Sequence, residues 1–405
     1  MNVRLLCLLV GLSASSFCHT LLAGNDPVTL KTLTDYVYLH HPAREAEASM
    51  DALASSRFAL AEQMFAAPLS LSVNHVNDAI GSGHGVQEWE TAVEMPIWLP
   101  GERRHQQNLS RHLAAEVPYY QQRIRLDASG QVRTHVWLVM QSAAAVRHAE
   151  NLLASADTLL ATVDRQIEAD LLPASERLLA QSHQLAMQSA LSTANRELQR
   201  ALNQYHYLTG QRILPGVIEE TLPVVVEVRP DHPLLAEIDQ QIARQRSAMA
   251  NARYDDARHP TLSVGVKRER DEHADPYSNS IGVGVSFALN DAQYQQPAIA
   301  LASRQLADLQ IARQQQQRQL ETQLLAAMDT LQNWQQEQRG LTEQITVSDQ
   351  YIALQQESFA SGSIDLATLL RSQQINEQQR YQLLQLEVDI QQQIATINQL
   401  TGYVL

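Results

Sequence analysis

"SNSIGVGVSFAL", Ser278 to Leu289, alternates small and apolar residues without a break. Ile281, Val283, Val285, Phe287 and Leu289 fall on one face, and Ser280, Gly282, Gly284, Ser286 and Ala288 on the other. A period of two with one apolar face predicts a β-strand. The chain on either side is rich in Gln, Ala, Leu and Arg, a helix composition. An apolar strand face set among helices must meet a core, a partner or lipid, and which of these it meets decides the fold.

The chain has 405 residues, room for a large core, and only 5% aromatics, a balance that favours long helices over a compact sandwich. A net charge of −14 argues against nucleic acid as a partner, because phosphate binding needs concentrated Lys and Arg. The basic residues of "GERRH" (Gly101–His105) and "VKRER" (Val266–Arg270) read as solvated faces. Both cysteines, Cys7 and Cys18, lie in "MNVRLLCLLVGLSASSFC", a basic start followed by a short apolar run and small residues. Residues 1–23 are therefore expected to be a secretory signal peptide. Cleavage after Cys18 and after Ala23 both fit. A lipid anchor on Cys18 is the sharper alternative, although Phe17 stands where a small residue is expected. Either cut leaves no thiol for an internal disulfide. No later stretch approaches the roughly twenty apolar residues of a membrane helix.

The chain is written twice. "LTG" ends at Gly210 and again at Gly402, 192 residues on. Pro68 in "APLSLSV" pairs with Pro260 in "HPTLSVGV" at the same shift, as do Leu178 with Leu370 and Gln181 with Gln373; His41–Pro42 returns at His232–Pro233. The division expected is a first repeat over 24–210, a proline-punctuated connector over 211–231 and a second repeat over 232–405. Two long copies are not the signature of a solenoid, which stacks several shorter units.

Each copy predicts the same elements in the same order. A helix (Pro42–Ala66 or Pro233–Arg258) precedes a hairpin, Leu69–Val76 with Glu88–Ile97 or Leu262–Glu269 with Ser278–Leu289. A very long helix follows, Glu102–Asp170 or Tyr294–Ser361, and at about 1.5 Å per residue each extends roughly 100 Å. The breaks "DLLPAS" and "SGSID" lead into returning helices that end at the LTG glycines, which suit C-terminal caps. In the second copy Leu324, Leu331, Ile345 and Ile352 keep a seven-residue rhythm beside Leu320, Ala327, Trp334 and Leu341, with Gln338 interrupting. That spacing reads as coiled-coil packing.

Four strands in an open sheet leave two unpaired edges, a liability in water and forbidden in lipid. Closure with copies from other chains removes both edges, and about 9–11 tilted residues cross a bilayer. The alternation then puts apolar side chains toward lipid (Trp89, Val93, Ile281, Val283, Val285 and Phe287) and Gly, Ser and the acids Glu88, Glu90 and Glu94 toward a wet lumen.

The two copies of helix, hairpin, long helix and returning helix, the LTG endings, and the pattern G-x-I-x-x-x-x-L-L-x-x-Q from Gly362 to Gln373 resemble the TolC-like outer-membrane efflux proteins. "APLSLSV" and "VEMPIWLPGERRHQ", Val93 to Gln106, look more like the heavy-metal (cobalt–zinc–cadmium) branch than the drug-efflux branch. The resemblance implies a mainly α chain with a small β part. Three protomers would donate four strands each to a twelve-stranded transmembrane β-barrel, above an α-helical barrel that crosses the periplasm. It also implies the outer membrane of a Gram-negative bacterium, a homotrimer, a periplasmic adapter (membrane fusion) protein, and an inner-membrane pump of the RND type or similar that supplies the energy. The adapter contact and the closing iris would map to the breaks: Asp170, Leu171, Leu172 and Pro173 in the first copy, and Gly362, Ser363, Ile364 and Asp365 in the second. Thr368 and Arg371 stand where some members carry gate aspartates; Asp365 lies one turn earlier, and Glu176 is the first-copy counterpart of Thr368. A ring of carboxylates and a solvated surface both remain open for Asp365 and Glu176.

No catalytic, cofactor-binding or metal-binding residues are expected. "GVGVSF" lacks the glycine after serine that a nucleophile elbow needs, and the glycines fail the dinucleotide spacing. The histidines show no H-x-x-x-H with a third ligand; His40 and His41 are adjacent, and His75, His84 and His273 fall in or beside strands and loops. Glu219–Glu220 sit in the connector with no partner motif. The expected function is a passive efflux conduit for metal ions or small toxic compounds. The alternatives are drug or protein export, or a secreted periplasmic coiled-coil scaffold.

Overall fold

The computed structural model describes residues 27–254, 259–289 and 292–405, so the signal-peptide expectation and Cys18 lie outside the described residues. Helix α1, Leu30–Leu39, opens the described chain. The sequence reading assigned no element there. Thr29 and Thr32 cap it reciprocally, each side chain taking the other's backbone N–H, a Thr–Thr version of the capping box.

A short turn at Pro42–Arg44 leads into α2, Glu45–Glu62. This helix stops four residues before the expected Ala66, because residues distant in sequence take its last carbonyls. Arg103 donates to the Ala61 and Glu62 oxygens at 2.6 and 3.1 Å, and Trp98 Nε1 donates to the Gln63 oxygen at 3.1 Å. The "GERRH" arginine is thus a C-terminal cap and not merely solvated. In the second copy α5 spans Pro233–Asn251 and a further turn covers Ala252–Tyr254; the expected end at Arg258 lies outside the described residues.

Strands β1 (Ser70–Asn77), β2 (Gln87–Pro96), β3 (Thr261–Arg270) and β4 (Ser278–Ser286) form one antiparallel sheet in the order β1-β2-β3-β4. Strand β4 ends three residues before the expected Leu289. Its last partner is Thr261 at the start of β3, and the carbonyl of the preceding Pro260 turns the other way, accepting from the Ile97 N–H at 2.8 Å. Phe287 and Leu289, expected within the strand, lie just beyond it and are exposed. Gly265 lets β2 and β3 approach closely: a Cβ there would sit 2.7 Å from both Ala92 Cβ and the Thr91 carbonyl oxygen.

The long helices are α3 (Glu102–Glu168) and α6 (Ala292–Ala360), and their returning partners are α4 (Ala174–Thr209) and α7 (Leu366–Thr401). Both returns end on a left-handed glycine, Gly210 with φ 67° and Gly402 with φ 91°. Near the level where they end, Leu33 and Val37 of α1 pack on Ile124, Val132 and Val136 of α3 and on Tyr205 of α4. A second core joins Leu324, Ala327 and Leu331 of α6 to Leu386, Ile390 and Ile397 of α7, covered by Val226 and Val228 of the connector. Leu320, Leu324, Ala327, Leu331, Ile345 and Ile352 are buried, while Trp334, Gln338 and Leu341 are half-buried. Glu220 in the connector has a structural partner in Arg133. Arg133 grips it with Nε and Nη2 at 2.8 and 2.7 Å, and Asn398 donates to it at 3.0 Å, joining the connector to α3 and α7.

Candidate functional site

The sheet register turns four separate alternations into two continuous faces. Leu71, Val93, Val264 and Val283 stand side by side across the strands, as do Val73, Thr91, Val266 and Ile281. The intervening row, Ser72, Ala92, Gly265 and Gly282, is small throughout and points the other way. Trp89, Val93, Ile281, Val283 and Val285 are all exposed, with Ile281 at 79%. A contiguous exposed apolar face of this kind marks a missing neighbour, whether protein or lipid. The opposite face carries Glu88, Glu90, Glu94 and Glu269, with Lys267 held between Glu88 and Glu269 at 3.1 and 2.5 Å. Strands β1 and β4 have one free edge each among the described residues.

The helical part is open in the same way. Helix α3 packs on α4 and on α7, and α7 packs on α6, giving the lateral order α4-α3-α7-α6. The α3–α7 seam is antiparallel and long. Gln141 donates to Asp389 and Gln392 at 3.0 and 2.8 Å, and His148 stacks on Tyr381 with ring centroids 4.5 Å apart. Burial pushes the His148 imidazole below its ordinary pKa and raises the Glu377 carboxyl. Burial also works against the Asp349 charge, but hydrogen bonds from Asn376 and Arg380 hold that carboxyl below its ordinary range. Sequence reading missed these partners, since nothing local distinguishes His148 or Asp349 from other polar residues on long helices.

At the far end of the helices the two breaks come together. Leu172 and Ile364 share one apolar cluster with Leu159, Val163, Phe359, Leu366 and Leu369. Asp170 takes φ 55°, the only non-glycine residue at positive φ among the described residues, and Gly362 takes 74° at the matching turn. Leu171 is exposed, Pro173 precedes α4, and the half-buried Glu176 lies in that helix's first turn. Asp365 is the N-cap of α7: its Oδ1 accepts from the Thr368 N–H at 2.8 Å. That hydrogen bonding, with the nearby Arg371 charge, lowers the Asp365 pKa. Ser363, Thr368 and Arg371 are exposed beside it. Among the described residues no three His, Cys, Asp or Glu side chains gather to hold a metal ion, and no helix is long and apolar enough to cross a membrane.

No protein-family model and no curated protein matches the chain. Solved structures do match it in shape. The chain is similar to CusC, a protein studied for folding and transmembrane channel formation, with a TM-score of 0.71 at 13% identity over 92% of both chains. It is similar to the outer membrane channel CmeC of Campylobacter jejuni, with a TM-score of 0.68 at 12% identity over 93% of this chain and 86% of that one. The outer membrane protein VceC of Vibrio cholerae matches with a TM-score of 0.70 at 11% identity, over 93% and 97% of the two chains. The chain has the fold of these proteins.

Proposed function

We propose that this chain is the outer-membrane channel of a tripartite efflux system, a passive conduit from periplasm to exterior. One observation carries the reading: among the described residues the sheet and the helical layer both end in unpaired edges, β1 and β4 in one, α4 and α6 in the other. Joining copies side by side closes both layers at once. Three copies give a twelve-stranded barrel, within the size range of outer-membrane barrels, set on twelve helical segments. The facing edges suit each other. Leu178 and Leu185 are exposed on α4, and Val347, Tyr351 and Leu354 are exposed on α6. At about 1.5 Å per residue both sets lie within roughly 5–20 Å of the helix tips.

Closure turns the apolar rows of the sheet toward lipid and the acidic face toward water, so the carboxylates of Glu88, Glu90 and Glu94 stay hydrated. The likeness to CusC, CmeC and VceC supports the same reading. The converged breaks at Leu172 and Ile364 are the proposed iris and the contact for a periplasmic adapter, with an RND-type or similar pump supplying energy. Glu88, Glu90 and Glu94 favour cations in the lumen, which supports metal-ion cargo over anionic solutes.

A heat-resistant trimer on a gel, together with conductance in a planar bilayer, is the expected result. A monomer that dissolves without detergent would return the chain to the scaffold reading. Deleting the gene and scoring sensitivity to zinc, cobalt, cadmium, copper and a dye panel tests the cargo. Unchanged metal tolerance removes the metal proposal and leaves the channel standing.

A further inference from the structure

The lipid-side face of the sheet is not apolar along its whole length. At the end of the strands away from the helices, Arg268 and Arg270 stand two residues apart on β3, on the same face as Val264 and Val266. Both guanidinium groups lie on one aromatic ring, Tyr277, at 4.4 and 5.0 Å from its centroid. The ring is pinned from the side, because its hydroxyl donates to Gln87 Oε1 at 2.6 Å.

Neither arginine has a carboxylate partner among the described residues. The acids on the opposite face, Glu88 and Glu269, are taken by Lys267. Asp271, Glu272 and Asp275 lie beyond the strand end in the β3–β4 loop and pair with neither arginine. The buried Arg270 Nε has no hydrogen-bond partner among the described residues. Two like charges are therefore held close together on one ring with no counter-charge, an arrangement that an anion between them would relieve.

Directly below, toward the middle of the sheet, the surface is concave. A hollow of about 430 Å³ lies between Trp89, Thr91, Val266, Arg268, Asn279 and Ile281. Its inner part, Val266 and Ile281, is apolar, its wall is an indole, and its outer lip is a guanidinium and an amide. That order matches a lipid read from acyl chain to headgroup. The other end of the same face, around Met95, Leu262 and Val285, carries no cation.

We propose that Arg268, Arg270 and Tyr277, with the Trp89 hollow beneath them, bind the phosphorylated headgroup and first acyl segment of an outer-leaflet glycolipid. The planar forks of two arginines suit phosphate oxygens, and the hollow takes the chain that a free phosphate lacks. This rests on the membrane-barrel reading above. The site would fix the barrel's depth and its lipid neighbours on the exterior side.

The test uses the full-length protein in detergent micelles, titrated with bis-phosphorylated lipid A and followed by native mass spectrometry. Parallel titrations use the same glycolipid stripped of phosphate and inorganic phosphate alone. Wild type is expected to retain lipid A, and Arg268→Gln with Arg270→Gln to bind it roughly thirtyfold more weakly. Arg200→Gln, on α4 and away from the sheet, should leave binding unchanged. Equal binding of the phosphate-free glycolipid, equal competition by inorganic phosphate, or unchanged binding by the double variant overturns the inference. Insertion into phosphatidylcholine vesicles separates the two levels. Wild type that fails to insert removes the barrel reading and this site with it. Insertion by both proteins, with lipid A binding lost only in the variant, supports the site. Should the Gln variant not insert, Arg268→Lys with Arg270→Lys keeps the charge and loses the fork; weaker binding supports the proposal and unchanged binding sinks it.

Discussion

His148 of α3 lies flat on Tyr381 of α7, 15° from parallel, and so clasps the seam that joins the two helical hairpins of the chain. Around it, Glu377, Arg380 and Glu387 of α7 line the same hollow on the facing side. None of them offsets the burial that lowers the histidine's pKa. The neutral ring is the form that packs, and the charged ring is penalised.

The pH consequence has a definite sign. The folded state holds this proton less tightly than the unfolded chain, whose histidine titrates near 6.5. Stability is therefore full above that value and falls as pH drops below it. His183 and His232, lowered chiefly by burial, act in the same direction. Replacing His148 with Phe should flatten part of the loss of melting temperature between neutral and mildly acid buffer. Melting curves of wild type and variant that fall in parallel over that range would refute the assignment.

The Arg133–Glu220 pair is almost fully enclosed, with side chains 6% and 11% exposed. Glu220→Ala leaves a buried guanidinium facing only neutral groups, and about 3–5 kcal/mol of destabilisation is expected. Arg133→Met with Glu220→Leu should cost less than either single change, because no charge is left stranded. A double-mutant cycle from denaturant titrations reads the coupling directly, and additive losses would show that the contact is idle.

Two glycines in one cross-strand row should behave differently. Gly265→Ala forces a methyl against Ala92 and the Thr91 carbonyl, whereas a methyl at Gly282 meets nothing within 4 Å. The first change should abolish the heat-resistant assembly and the second should leave it intact. Equal gel patterns for the two would mean that β2 and β3 are not this close.

The faces of the sheet are separable by charge. Val283→Arg, on the apolar side, is expected to impair bilayer insertion by about 2–4 kcal/mol per protomer at the midplane. Gly282→Arg, one residue away on the other side, should insert and change conductance. Similar insertion defects in both would contradict the facing.

The period-two strands, the long helices, the doubled order of elements and the glycine caps were legible in "SNSIGVGVSFAL", in the Gln- and Ala-rich stretches and in the paired LTG endings. Each depends on backbone geometry over a few residues, which local sequence encodes. Strand and helix ends were less legible. Arg103 stops α2 from another element, and β4 ends where its partner β3 begins at Thr261. Tertiary structure alone decided that Leu71, Val93, Val264 and Val283 share a row, that Glu220 meets Arg133, that His148 meets Tyr381, and that α4 and α6 are left as open edges. Those relations join residues far apart in the chain, and their energy comes from packing and desolvation at the contact, which no local period records.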